Sequence, residues 1–381
     1  MPTQELPLID KLNTALKHLK NTFVGKDDII DLMGIGLVSR ENMFMLGPPG
    51  TAKSALVREL AKVLHGKTFE YLLTRFTEPN ELFGPFDIRK LREGELVTNT
   101  EGMLPEANLI FLDELLNANS AILNSLLLVL NEKIFRRGRE NRALPAVMIV
   151  GASNQLPEDE ALQALFDRFL IRVRCENVDT TQLSHVLDAG WRMEAQGTPD
   201  DIQLSNDEIF HLQALITTVD LTAIRPAYIE LVQKLRNAGV QLSDRRAVKL
   251  QRLVAASALI CKRTQATHSD LWVFRHIWDT LEQEEIISGI VNTVVNTDTS
   301  AVSHHPRATT QSAPDADAIF HEVTDMLQRW DDPNVSMADR AIMRDRLRYL
   351  NGRCEWITNS VQRAYVQEPI DTLWRKILAQ A

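Results

Sequence analysis

The 381-residue chain is 44% hydrophobic and 24% charged, an ordinary composition for a soluble globular protein with room for about two to three domains. Its formal net charge of −9 argues against nucleic acid or an anionic membrane as a partner of the surface as a whole. Three scattered cysteines, Cys175, Cys261 and Cys354, argue against a disulfide framework or a cysteine-rich zinc site and fit a reducing compartment.

The N-terminal residues Met1 to Pro7 lack a basic-then-apolar leader. No later run reaches the roughly 18 apolar residues of a membrane span, so a cytoplasmic chain is expected. Leu8, Ile9, Leu12, Ala15, Leu16, Leu19 and Phe23 repeat at helical spacing and predict a first amphipathic helix. A turn at Val24-Gly25 leads to a second helix with Asp27 and Asp28 in its first turn.

Met43-Phe44-Met45-Leu46 reads as a short buried strand. Gly47, Pro48, Pro49, Gly50, Thr51, Ala52, Lys53 and Ser54 follow as a turn, and Ala55 to Ala61, with Leu56 one turn beyond Lys53, continue at helical period. Strand, glycine-rich loop and helix together are the context of a P-loop. Successive backbone N–H groups and the helix N-terminus there would cradle a triphosphate. Lys53 would reach its β- and γ-phosphates, the Ser54 hydroxyl would ligate Mg²⁺, and Leu56 is expected among the nucleotide-binding residues. Ala52 stands where the strict pattern has glycine; a methyl group is tolerated where φ is negative, so with a negative φ there the loop is expected to survive, one residue short of the strict pattern.

Phe69 to Leu73 predicts a second strand. The text from Glu81 to Asn108, with Gly84-Pro85 and Glu93-Gly94, predicts an inserted hairpin followed by a loop through Gly102 and Pro105. Asn108 to Glu114 is an apolar run ending in two carboxylates, as a central parallel strand covered on both faces requires. A helix is expected over Ile122 to Leu130, a small hairpin over Lys133 to Leu144, and another buried strand over Val147 to Asn154. This alternation to about Val178 predicts one α/β core, an αβα sandwich with a mostly parallel sheet, over residues 1–178.

Asp113 and Glu114 end a buried strand on the sheet edge that also carries the P-loop, where ligands of parallel sheets collect. Asp113 would hold Mg²⁺ and Glu114 would polarise the attacking water; the plainer account makes Asp113 the cap of the next helix. Asn154 ends the next strand on the same edge and could orient that water, or be a turn asparagine. Arg168, in Leu165-Phe166-Asp167-Arg168-Phe169, could supply charge to a neighbouring subunit's site or simply pair with Asp167. Ser243 is a helix cap ahead of Arg245 and Arg246, either of which could reach a nucleotide from a lid.

Beyond Asp179 helical spacing dominates, near 181–195, 205–219, 225–238, 244–262 and 269–288, and predicts an all-α lid domain over 179–295. Residues 296–316 are polar and rich in small residues, and read as a linker in which His304 and His305 are solvated. Helical periodicity returns over 317–381 as a short C-terminal helical segment.

Taken in order, GPPGTAKS, LIFLDEL, VGASNQLPE, LFDRFLIR and SDRRAVKL resemble an AAA+ ATPase of the MoxR family, RavA-like in detail. The resemblance covers about residues 8–296 and accommodates the alanine at position 52. It implies that Lys53 is the Walker A lysine, that Asp113 and Glu114 are the Walker B pair, and that Asn154 is sensor 1. Arg168 matches the arginine finger and Arg245 best matches sensor 2, with Arg246 the adjacent alternative; Val24-Gly25 matches the turn that packs on adenine. The hairpins near 84–103 and 134–145 match the helix-2 insert and the pre-sensor-1 hairpin. ATP and Mg²⁺, a ring-shaped homo-oligomer of hexameric type, and ATP-driven remodelling of partner proteins follow as expectations, usually with a von Willebrand A-domain protein. The longer tail of RavA-like members, with its β-rich partner-binding domain, has no match here, and the protein client is not legible. The rival reading is a nucleic-acid motor or helicase loader, since Arg136, Arg137, Arg139 and Arg142 cluster on one hairpin. The net charge, and the lack of aromatics interleaved with those arginines, weigh against it. A P-loop kinase would leave Asn154 and Arg168 without a purpose.

Overall fold

The computed structural model describes residues 5–137, 140–157, 159–178, 182–195, 202–298, 302–309, 316–330, 337–355 and 360–379. Two compact units divide it, Met1–Ala308 and Thr309–Ala381.

In the first unit, α1 (Leu6–Thr22) and α2 (Asp27–Ser39) precede β1 (Met43–Leu46), α3 (Lys53–Val63), β2 (Leu64–His65) and β3 (Thr68–Leu72). The short helices α4 (Pro79–Phe83) and α5 (Ile88–Arg92) lead to β4 (Leu109–Asp113) and α6 (Ser120–Glu132). The small hairpin of β5 (Ile134–Arg137) and β6 (Glu140–Ala143) follows, then β7 (Met148–Ser153), α7 (Glu160–Phe166) and β8 (Ile171–Arg174). Five strands form one parallel sheet in the order β3-β4-β7-β1-β8. All four residues of β1 and all six of β7 are buried, as strands covered on both faces must be. Register aligns Leu46 with Ser153 and Arg174, and Leu72 with Asp113, so the strand C-termini share one edge.

Three local expectations are corrected. The 84–103 insert is not a plain hairpin: Pro79 and a Glu78/Glu81 capping box start α4, and the Asp87 carboxylate accepts from Arg89 N and Lys90 N to start α5. Only the Phe86–Thr98 antiparallel bridge remains of the hairpin. The basic residues of the neighbouring hairpin brace this insert. Arg137 donates to Gly84 O and Asn80 Oδ1, both at 2.7 Å, and lies 4.0 Å over the Phe86 ring, while Arg142 donates to Thr100 Oγ1 at 2.8 Å. Arg139 lies outside the described residues.

Next come α8 (Leu183–Ala195), β9 (Leu204–Ser205), α9 (Asn206–Leu215), α10 (Arg225–Asn237), α11 (Asp244–Ile260) and α12 (Leu281–Val295). Although its residues follow the expected boundary at 178, α9 packs on the sheet-bearing part. Gln213 donates to Leu37 O at 2.8 Å, Glu208 pairs with Lys11 at 2.8 Å, and β9 extends β2 in parallel. The helix expected over 269–288 is in fact a 3₁₀ segment, His268–His276, followed by α12. The break has a cause: the carbonyls of Ile277 and Trp278 accept from Arg172, which an uninterrupted helix would not allow.

The two histidines expected in a solvated linker are packed instead, His305 fully and His304 in part. His305 is 2% exposed and stacks on Trp272 at 4.7 Å, and His304 Nδ1 lies 2.8 Å from Ser269 Oγ. Ser303 O accepts from Arg263 at 2.9 Å, and Arg307, in the short α13 (Pro306–Thr309), pairs with Asp27, Asp28 and Asp31 of α2. An aromatic face and three carboxylates in the rest of the unit supply what the local sequence could not reveal.

The second unit contains α14 (Ala316–Trp330), α15 (Met337–Glu355) and α16 (Ser360–Ala379) around its own core of Ile319, Val323, Leu347, Leu350, Ile370 and Leu373.

Candidate nucleotide site

β1 delivers the chain to Gly47 at the carboxyl edge. A Cβ on Gly47 would stand 2.1 Å from Cys175 O, so only glycine fits, while a Cβ on Gly50 (φ +82°) would meet nothing within 4 Å. Gly47 N donates to Ser153 O at 3.1 Å, and Thr51 Oγ1 to Pro48 O at 2.9 Å, fixing the loop from both sides. Pro48, Pro49 and Gly50 are exposed and Thr51 is buried. Ala52 sits at φ +66°, in the left-handed region, contrary to the expected negative φ. The loop must reverse there to start α3 at Lys53, and the alanine bears the strain.

The Lys53 ammonium folds back onto its own loop, donating to Gly47 O at 2.6 Å and Pro48 O at 3.0 Å. It therefore stands inside the cradle, held by two carbonyls that a phosphate could replace. Leu56 is fully buried, and its N–H donates to Ala52 O, so its side chain belongs to the core.

Ser54 Oγ donates to Asp113 Oδ2 at 3.3 Å, which joins the first turn of α3 to the end of β4. Asp113 Oδ1 accepts from Glu114 N at 2.9 Å, and Glu114 takes the left-handed conformation at φ +49°. Burial and the adjacent Asp113 charge push the Glu114 carboxyl up, with Lys53 opposing them. A carboxylate with raised basicity beside a phosphate cradle suits proton abstraction from water. Asn117, which the sequence did not single out, lies 3.5 Å from Glu114 Oε2. The sheet order puts β7 between β4 and β1, so exposed Asn154 follows Ser153 between the carboxylates and the P-loop. A hydroxyl and a carboxylate within hydrogen-bond reach form a hard oxygen donor set that fits Mg²⁺.

On the other flank Gly25 has φ +69°, and a Cβ there would be 2.9 Å from Val178 Cγ1 and 3.2 Å from Gln182 Oε1. Val24 beside it is half-buried. Lys26, also missed from sequence, donates to Glu176 O, and burial lowers its pKa against the pull of Cys175 and Glu176. Residues 175–178 thus touch both the Val24-Gly25 turn and Gly47.

The arginines stand elsewhere. Arg168 precedes β8, whose first residue pairs with Met43 at the start of β1, and Arg168 O accepts from Asn42 Nδ2 at 3.3 Å. The four residues of β1 separate that edge from the P-loop by about 13 Å. Arg168 Nε is buried and has no hydrogen-bond partner among the described residues. Arg245, exposed on α11, donates to Asn131 Oδ1 at 3.0 Å, and Arg168, Arg245, Asn131, Asp167 and Lys249 line one small cavity. Arg246 lines the same cavity but turns its guanidinium inward to Asp279 and the carbonyls of Gln241 and Ile277. The two adjacent arginines have different partners, and Arg245 alone is exposed.

A parallel sheet in this order, with a P-loop after β1 and an acidic pair after β4, defines an ATPase of the AAA+ class. Residues 10–214 match the model of the MoxR domain in the MoxR-vWA-beta-propeller ternary systems, and residues 220–291 match an AAA lid domain. The chain belongs to the MoxR family of AAA+ ATPases. Two uncharacterized proteins of Methanocaldococcus jannaschii are 34% and 35% identical to it, covering 76% and 70% of this chain and 76% and 71% of their own. The chaperone MoxR1 of Mycobacterium tuberculosis is 28% identical over 43% of this chain and 44% of its own length. A candidate ATPase of Cytophaga hutchinsonii, known from a crystal structure, shares the fold at a TM-score of 0.62 and 20% identity, covering 77% of this chain and 96% of its own.

Proposed function

We propose that the chain is the subunit of a cytoplasmic hexameric ring that hydrolyses ATP with Mg²⁺ and remodels or activates partner proteins, with a von Willebrand A-domain protein as co-factor. One observation carries the ring: Arg168 and Arg245 line a cavity at the edge opposite their own P-loop. An ATP held at Lys53 finds neither arginine in its own subunit, and a neighbour can offer both.

In this reading the Gly47–Ser54 loop and the start of α3 hold the phosphates, Lys53 exchanging its two loop carbonyls for phosphate oxygens. Mg²⁺, held through Ser54 and Asp113, supplies neutralisation of the phosphate charge. Glu114 takes the proton of the attacking water, Asn154 orients that water, and Val24-Gly25 packs on the base. Arg168 and Arg245 stabilise the charge that develops on the neighbour's phosphate. Arg246, the alternative lid arginine, lines the same cavity, and this reading gives it the ion pair with Asp279. The core at 1–178, the lid at 179–295, the linker at 296–316 and the C-terminal helices serve as the frame of this reading.

Support for the partner comes from the matched model, which is described for MoxR-vWA-beta-propeller ternary systems, and for a chaperone role from the name of the mycobacterial relative. The nucleic-acid alternative is weakened because Arg137 and Arg142 are spent on holding the insert.

The test is subunit mixing. Arg168→Ala and Lys53→Ala proteins should each lose about 10³-fold or more in ATPase rate. Mixed, they form interfaces that pair an intact Lys53 site with an intact Arg168, so activity returns. A mixture that stays inactive at every ratio, although both variants assemble and exchange subunits, would defeat the ring reading.

A further inference from the structure

Two buried arginines and one carboxylate sit between the segments that carry Arg168 and Arg245. Arg172 is fully buried in β8. Its Nε donates to Phe169 O at 3.1 Å and its Nη2 to Phe166 O at 3.3 Å, so one guanidinium grips both ends of the turn that contains Arg168. Its plane also rests 4.1 Å over the Phe166 ring. From the other side, Arg172 Nη1 donates to Ile277 O at 3.2 Å and Trp278 O at 2.7 Å, and meets the Asp279 carboxylate.

Arg246 reaches the same carboxylate from α11. Its Nη1 lies 3.1 Å from Asp279 Oδ1 and 3.3 Å from Oδ2, and its Nη2 donates to Ile277 O at 2.7 Å. The next residue along the helix is Arg245. Asp279 itself is held by Gln283, whose Oε1 accepts from Asp279 N at 2.9 Å.

We infer that Asp279 is a positioning residue: through Arg172 and Arg246 it fixes Arg168 and Arg245 as one rigid pair presented to the neighbouring subunit. The inference rests on the reading of those two arginines as trans residues. Its physical basis is charge balance. Two buried guanidiniums share one buried carboxylate, and among the described residues the other counter-charge in reach is exposed Asp167, 3.6 Å from Arg172. Without the Asp279 charge the two guanidiniums repel each other across a low-dielectric gap. The turn carrying Arg168 and the helix carrying Arg245 then lose the charged group that joins them and keep the shared Ile277 carbonyl. The hydrogen bonds of Arg172 run to Phe166, Phe169 and the 277–279 segment rather than to the P-loop, so the subunit's own phosphate cradle should keep its geometry after this loss.

The experiment uses full-length Asp279→Asn, with Arg246→Lys as a second variant that keeps the charge but loses the planar fork. Three quantities are read: affinity for a fluorescent ADP analogue, ATPase rate alone, and ATPase rate after mixing with Lys53→Ala subunits. Affinity should stay within about twofold while the rate falls about 10²-fold, the size expected when reacting groups are misplaced by about an ångström. Mixing should then restore activity, because Asp279→Asn subunits keep an intact Lys53 site and receive intact arginines from their neighbours.

The mixture of Arg168→Ala with Lys53→Ala is the control. If the control recovers and the Asp279→Asn mixture does not, the inference fails while the ring reading stands; if the control fails, the ring reading itself is at fault. A loss of nucleotide affinity as large as the loss of rate also overturns the inference. So does a failure of both variants to fold, which would mark the triad as a stability element only.

Discussion

Ser54 and Asp113 are 59 residues apart in sequence, yet Ser54 Oγ donates to Asp113 Oδ2 at 3.3 Å. This single contact closes the phosphate loop against the acidic end of β4 and sets Glu114 beside the cradle rather than in it. In the proposed reading, binding and proton transfer then fall to different side chains.

That separation gives the first expected outcome. Lys53→Ala should lose most of the affinity for nucleotide, because the helix N-terminus alone keeps little of the phosphate charge balance. Glu114→Gln should bind ATP nearly as well as the unmodified chain and turn it over about 10²–10⁴-fold more slowly, the usual contribution of a general base. The Glu114 carboxyl is raised by burial and by Asp113, so the acid limb of the rate profile should fall above the ordinary carboxylate range. Isotope-labelled ATP turnover and equilibrium binding measure both effects. Equal rates for Glu114→Gln and the unmodified chain would remove Glu114 from its role.

Ala52 holds φ +66° with a methyl group, which costs an L-residue about 1–2 kcal/mol. Replacing it with glycine relieves that strain but adds freedom to the unfolded chain. Ala52→Gly should therefore stabilise the first unit by about 1 kcal/mol net or less, with nucleotide binding retained. Denaturant unfolding followed by intrinsic tryptophan fluorescence checks it; a lower midpoint would show that the methyl contributes packing that outweighs the strain.

Lys133 provides a pH test. It is buried, its Nζ reaches Val147 O at 3.4 Å, and burial with the charges of Arg40, Lys249 and Arg252 lowers its pKa to about 7, Glu41 opposing. The unfolded chain binds this proton up to about pH 10.4 and the folded chain only to about 7, so stability rises with pH between those values and is lost as pH falls through the window. Below about pH 7 the full penalty of a buried ammonium remains. Lys133→Met should accordingly raise the thermal midpoint at pH 7, and the gain should shrink at pH 9.5. An identical gain at both values would mean that packing, and not charge, limits stability at this position.

The P-loop, the acidic end of β4, the buried β7 and the lid helices were legible in the sequence because each is a local pattern: an apolar run, a glycine turn, a 3.6-residue period. Those signals depend on neighbours in sequence, and the motifs they place carried the resemblance to the MoxR family as well. Tertiary structure alone decided the rest. Ile171 to Arg174 alternates apolar and basic residues, yet it is a buried edge strand because Asp279 and four carbonyls surround Arg172. Arg245 and Arg246 are chemically identical, and the roughly 100° between successive helix residues sends one to Asn131 in the arginine cavity and the other to Asp279. His305 reads as solvent-loving until Trp272 covers it. In each case at least one deciding partner lies more than 30 residues away, and the free energy of burying a charged or polar group depends on that partner as well as on the residue's own neighbours.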